Sequence, residues 1–240
     1  MQSYRASAIF DCPVVRVSIM GNIGKRRVIA TMEQLDQIIK TIALTMGVGW
    51  ASGLNLYAAI LMLGILGATG NVVLPPDLQV LTSPIVVVAA AIMYLVEFFA
   101  DKIPGVDTGW DTIHTFIRIP AGALLAAGAV GSVNPALAVA AALLGGSMAA
   151  LSHATKAGAR VLINTSPEPF TNWAASITED LMVIGGIWAA LHHPWLFLGL
   201  LTAFILLAIW LLPKIWQGIK KVWGYIRRLF TSESSPGAPT

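Results

Sequence analysis

The chain has 240 residues, of which 56% are hydrophobic and only 11% charged, and its mean hydropathy is +0.75. Soluble domains carry about 25% charged side chains, and an apolar surplus this large cannot be hidden in one core of this size, so an ordinary soluble domain is excluded. Nucleic acid loses its support as a partner too: the net charge of +3 comes from Arg5, Arg16, Lys25, Arg26 and Arg27, and without residues 1–31 it becomes −1.

Residues 1–31 hold Asp11, Pro13 and Arg16 where a secretory signal needs an unbroken apolar core, so they do not read as a targeting peptide. The single Cys12 excludes an intramolecular disulfide and a multi-cysteine metal site. Met32 opens a helical stretch and is a candidate translation start; a structured or regulatory arm is the other reading of residues 1–31. The domain proper is expected over 32–213.

The first span is expected over about Thr41 to Leu66. It contains Gly47, Gly49, Ser52, Gly53 and Asn55 near its middle. Each glycine weakens a helix by about 1 kcal/mol relative to alanine. Two readings stand: a broken helix lining a cavity, or close packing through small residues with Ser52 and Asn55 bonding across an interface.

The second span, about Pro84 to Ala100, carries Glu97 near its end. The segment from Glu97 to Arg118 then holds Asp101, Lys102, Asp107, Trp110, Asp111 and His114. Asp107, Asp111, His114 and Arg118 are spaced by four, three and four, which places them on one helical face. A solvated cytoplasmic loop helix is one reading. The apolar opposite face, with Trp110 and Ile113, suits a re-entrant or interfacial helix whose polar face points into a protein cavity.

The third and fourth spans are expected over about Ile117 to Val130 and about Pro135 to Leu151. His153, Lys156, Arg160 and Asn164 come next at spacings of three, four and four, a basic stripe on one face. Ser166, Pro167, Glu168 and Pro169 then force an extended break. The acidic and basic stripes invite cross-pairing, for example Asp107 or Asp111 with Lys156 or Arg160.

The fifth span, about Asn172 to Leu191, places Glu179 and Asp180 roughly 12 Å along a helix. A charge at the bilayer centre costs at least about 2.5 kcal/mol, so such groups face the bundle interior. They are candidates to bind a cation or proton; pairing with Arg118 or Arg160 would explain them structurally.

The sixth span, about Trp195 to Leu212, leads into a tail where Lys214, Lys220, Lys221, Arg227 and Arg228 alternate with Trp216, Ile219, Trp223 and Ile226. Residues 214–230 read as a basic amphipathic helix on the membrane face, meeting anionic lipid headgroups. Residues 231–240 read as disordered.

Lysine and arginine concentrate in short loops on the cytoplasmic side. Gly67 to Ser83, Ser132 to Asn134 and the turn at His192 have none, whereas Lys102, Arg118, Lys156, Arg160 and the tail do. Six crossings with both termini in the cytoplasm are therefore expected, a bacterial inner membrane being the expected setting. The triplet Thr82-Ser83-Pro84 recurs as Thr165-Ser166-Pro167, each twelve or thirteen residues before a carboxylate, Glu97 or Glu179. With three spans per half, the halves would be inverted repeats.

Enzyme signatures are weak. His192 and His193 sit in an expected outer turn far from Ser52, and Asp107, Asp111 and His114 are mixed ligands typical of solvated polarity. Neither a catalytic set, a metal centre nor a cofactor is expected, and a membrane-embedded hydrolase ranks last.

The stretch Glu97 to Arg118, with Asp101-Lys102-Ile103-Pro104, Asp107, Trp110-Asp111 and His114-Thr115, together with Lys156-Ala157-Gly158-Ala159-Arg160, Asn164 and Ser166-Pro167-Glu168-Pro169, resembles the membrane family catalogued as domain of unknown function 4126. The resemblance covers about Ile38 to Leu191 and implies that the two polar segments form a shared site. No activity comes with it.

The expected protein is an all-α membrane bundle of six spans, in two inverted three-helix halves with broken or re-entrant segments. It would act as a transporter or channel for a small solute, ion or lipid headgroup, with proton or cation coupling; homo-oligomerisation stays open. A structural or assembly role is the alternative.

Overall fold

The computed structural model describes residues 13–103, 105–131, 134–165 and 169–231. The start of the N-terminal arm and the tail after Thr231, expected to be disordered, lie outside these ranges. Among the described residues, regular structure is wholly helical: α1 (Pro13–Ala68), a 3₁₀ helix (Pro76–Thr82), α2 (Pro84–Ala100), α3 (Val106–Val130), α4 (Pro135–Ile163), α5 (Pro169–His192) and α6 (Pro194–Thr231). Proline opens four of the five α-helices after α1, where its missing N–H would be unbonded anyway and its φ is already helical. Asn134 caps α4 by accepting the Ala136 N–H at 2.8 Å. Gly105 and Gly131, at φ 86° and 72°, bracket α3 in a backbone region that other residues avoid.

Five of these helices are long and apolar enough to cross a membrane; a sixth crossing is counted if the 3₁₀ helix and α2, bent by 67°, are one broken span. The chain divides into a unit ending at Lys40 and a larger one beginning at Thr41. In the first, Lys40 pairs with Asp36 at 2.6 Å, an exposed bridge one helical turn apart.

The larger unit is polar inside and apolar outside. Leu143 is 68% exposed, Leu206 64% and Phe116 82%, while Glu97, Asp107, Arg118 and Arg160 are fully buried. Water as solvent would select the reverse, so hydrocarbon is the solvent for which this surface is built.

Several elements run longer than expected. The stripe from Asp107 to Arg118 is neither a loop helix nor a re-entrant one: it is the first half of α3, continuous with the expected third span. The basic stripe is likewise the second half of α4. Carboxylates and cations on facing helices make this possible, because most of their polar atoms pair with one another inside the bundle. The expected sixth span and tail are one helix, α6, which passes through Pro213 without ending. After that proline, Ile215 is buried and seats against Gly158, and Gly218 faces Leu162 of α4.

Small residues set the spacing of α1, α3 and α4. A methyl group on Gly49 would meet the Gly145 carbonyl oxygen at 2.7 Å, and one on Gly53 would overlap Ser152 Oγ and the Ala149 carbonyl. The GxxxG pair Gly49/Gly53 therefore brings the α1 backbone against α4. Gly53→Ala should push these helices apart and cost about 1–3 kcal/mol, as overpacking does; a melting curve of the purified protein in detergent, compared with that of Gly199→Ala, where a methyl group meets nothing, measures it.

Candidate functional site

Two residues after Gly53, α1 breaks. Asn55 has φ −148° and ψ 97°, an extended backbone inside a helix. Its side chain replaces part of what the break removes: Oδ1 accepts the Ala58 N–H at 2.9 Å, capping the second half, while Nδ2 donates to Asp180 Oδ1 at 2.9 Å. The Leu54 carbonyl takes the Lys156 ammonium at 3.0 Å. A cation thus sits at the carbonyl end of one half-helix and a carboxylate beside the amide end of the other, as the helix dipole favours. The glycines pack, Ser52 and Asn55 bond across to neighbouring helices, and the chain breaks just beyond the glycines.

Around this break lie the stripes. Arg118 of α3 donates to Glu97 Oε1 and to Asp111 Oδ1, each at 2.7 Å, and to His153 Nδ1 at 3.1 Å. Lys156 of α4 lies 2.9 Å from Asp101 Oδ2, 3.3 Å from Glu179 Oε2, 3.6 Å from Glu97 Oε1 and 3.7 Å from Asp111 Oδ1. Arg160 grips Glu179 through Nε at 3.2 Å and a terminal nitrogen at 2.8 Å, a two-pronged pair. Its other terminal nitrogen donates to the Asp101 carbonyl and to Asn172 Oδ1, both at 3.0 Å, and comes within 3.8 Å of Asp107. The stripes do meet, by hydrogen bonds from Asn164 to Asp107 and from Arg118 to His153 and by ion pairs at 3.7 and 3.8 Å, while shorter ion pairs run within α3 to Asp111 and out to Glu97 of α2 and Glu179 of α5.

Glu179 and Asp180 diverge, as adjacent helix positions must. Glu179 faces Arg160 and Lys156; Asp180 accepts from Asn55 and, at 3.2 Å, from the Tyr94 hydroxyl. Asp107 anchors the start of α3, its Oδ1 accepting the Thr108 N–H at 2.6 Å and the Asn164 amide at 2.8 Å. The Asn164–Asp107 and Arg160–Asp101 contacts tie the α2–α3 and α4–α5 connections together on one side of the bundle. Ser52 donates its hydroxyl proton to the Arg118 carbonyl at 2.7 Å. Glu168, with Ser166 and Pro167 of the expected extended break, lies outside the described residues.

The hydrogen bonds assign the histidine protons. A guanidinium only donates, so His153 Nδ1 accepts from Arg118 and Nε2 carries the proton toward Thr115 Oγ1, 2.7 Å away. His114 Nδ1 faces the Trp110 carbonyl at 2.9 Å and therefore donates; its Nε2 meets the Tyr57 hydroxyl at 3.1 Å. In the α2–α3 connection, Lys102 is held over the Phe98 ring, 2.9 Å from its centroid, and donates to the Phe98 carbonyl. Burial pulls the Lys102 ammonium below its usual pKa, against the opposing pull of Asp180 and Asp101.

The cluster has members beyond the residues that their charge marks in the sequence. Tyr94, Glu97 and Asp101 fall on one face of α2 and its end at spacings of three and four; Asn172, Ser176 and Asp180 fall on one face of α5 at spacings of four. That periodicity is the signal that identifies Tyr94, Asn172 and Ser176. Ser152, buried and bonded to the Trp50 carbonyl at 2.9 Å, has only its place beside His153 to mark it. Two apolar grooves, of about 510 and 250 Å³, also mark the bundle, and neither is lined by a charged residue.

Removing one member of a buried pair costs about 3–5 kcal/mol because its partner stays charged and unpaired. Arg160→Met should therefore lower the melting temperature sharply, and adding Glu179→Gln should recover part of the loss; a double-mutant cycle in detergent gives the coupling. Asn55→Ala should cost about 0.5–2 kcal/mol for the lost cap alone, and more for the bond it strips from Asp180.

Comparison with curated proteins and with solved structures gives no match. The family described as "Domain of unknown function (DUF4126)" matches residues 42–214, which takes in α1 from just inside the larger unit, every charged residue of the site, and α6 as far as Lys214. The chain is a membrane protein of this DUF4126 family.

Proposed function

We propose that the protein is a membrane transporter or channel for a small solute or ion, with a coupling site at the break in α1. The observation that carries this reading is Asn55: an unwound backbone in the middle of a candidate span, with Lys156 on the freed Leu54 carbonyl and Asp180 on the Asn55 amide. Broken helices at membrane depth are tolerated where they are buried in protein or line a path, and their opened ends are the usual ligands of transported ions. Ionisable groups held inside a bundle at such cost belong by default to a pathway or relay.

The two inverted halves and the cytoplasmic placement of both termini belong to the same reading. Carboxylates come from α2 and α5, one helix in each half, and they meet cations from α3 and α4. The basic face of the tail, where Lys214 stacks over Trp210 at 3.2 Å, would meet anionic headgroups. A structural role is the second reading, favoured by the two-pronged Arg160–Glu179 pair.

Reconstituted in proteoliposomes with internal proton- and cation-sensitive dyes, the wild type should carry flux above protein-free vesicles. Asp180→Asn, which keeps an acceptor for Asn55 but removes the charge, should bring the flux down toward that background while the protein elutes as a folded species. A folded wild type without flux for any monovalent ion or small solute tested would leave the structural role standing.

A further inference from the structure

The buried ionisable residues of the larger unit do not balance. Among the described residues, six buried carboxylates (Glu97, Asp101, Asp107, Asp111, Glu179 and Asp180) face four buried cations (Lys102, Arg118, Lys156 and Arg160). The hydrogen bonds of His153 make it neutral, and those of His114 are complete without a charge, so neither supplies the difference.

One unit of the imbalance has a location. Both oxygens of Glu179 are taken by Arg160, and both oxygens of Asp180 are taken by Asn55 and Tyr94. By contrast Glu97 Oε2, Asp101 Oδ1 and Asp111 Oδ2 are buried with no hydrogen-bond partner. These three carboxyl groups each place their other oxygen within 3.7 Å of the single Lys156 ammonium. Glu97 and Asp111 also share Arg118, so three carboxylates converge on two cations, and like charges that share a site do not all stay ionised. Asp107 also keeps an open oxygen, but its other oxygen is saturated by the start of α3 and by Asn164.

A metal ion is poorly suited to make up the charge, since among the described residues no three His, Cys, Asp or Glu side chains are placed to hold one. A proton needs no such shell. It takes one open oxygen, turns an acceptor into a donor, and gives the neighbouring carboxylate a partner.

We propose that Glu97, Asp101 and Asp111 form a proton-holding site around Lys156 and Arg118, sharing one proton taken from water, while Glu179 and Asp180 serve as ligands of Arg160 and Asn55. This deepens the transport reading and rests on it for its purpose, though not for its chemistry: the proton is the coupling charge. Arg118 from α3, Arg160 and His153 from α4, Tyr57 from α1 and Lys102 face the same cluster and set the field in which the proton exchanges.

The test needs no gradient. Infrared difference spectra of the full chain in nanodiscs, titrated with pH in choline buffer, should show the carbonyl stretch of protonated carboxylic acid at neutral pH and lose it at high pH. Asp101→Asn and Asp111→Asn, which keep acceptors for Lys156 and Arg118, should each diminish the band; Glu179→Gln should leave it. Absence of the band at neutral pH in the wild type, which requires no variant to fold, overturns the assignment, as does a band lost only in Glu179→Gln or Asp180→Asn. A wild type without the band but with a melting temperature raised by sodium over choline overturns it in favour of an alkali ion. The band with no flux in proteoliposomes keeps the proton site and removes the transport reading; flux without the band does the converse.

Discussion

Putting Arg118, Lys156 and Arg160 inside a bundle surrounded by hydrocarbon decides where most of the other polar groups must go. Each cation loses its hydration and has to recover it from carboxylates and carbonyls, since the desolvation cost reaches several kcal/mol per ion. Arg118 draws in Glu97 and Asp111, Arg160 draws in Glu179 and Asn172, and Lys156 reaches Asp101 and the Leu54 carbonyl. In the larger unit α1, α2, α3, α4 and α5 are each tied to this set by a hydrogen bond or ion pair.

The break at Asn55 and the glycines before it are two parts of one arrangement. The Ala58 N–H that would pair with the Leu54 carbonyl goes instead to Asn55, which leaves that carbonyl open to Lys156, and Gly53 lets α4 come close enough for the ammonium to arrive. An unbroken α1 would leave Lys156 with carboxylates alone. An α1 with larger residues at positions 49 and 53 would hold α4 away.

Much of this is legible in the sequence, because charges in an apolar chain stand out and helical spacing gathers them. The faces Asp107–Arg118 and His153–Asn164, the pair Glu179/Asp180, and the polar middle of the first span all lie in or beside the buried polar cluster. Less visible is the continuity of α3 and α4: a charged stripe reads as loop when its partners are unknown, and those partners are remote in sequence. The position of the break is also hidden, since three glycines precede it and each is a better helix breaker than asparagine; Asn55 wins because its side chain caps the half-helix beyond it. The partner choices, Arg118 with Glu97 and Arg160 with Glu179, depend on helix rotation and depth, which composition does not encode.

The seat of Ile215 against Gly158 links the end of the chain to its centre. Gly158 lies on α4 between Lys156 and Arg160, two residues from each. Because α6 is one helix through Pro213, the turns after the proline stay in line with the sixth span and pack at that notch against the stretch of α4 that carries Lys156 and Arg160. The end of the chain thereby shares a packing surface with the helix that carries the charge cluster.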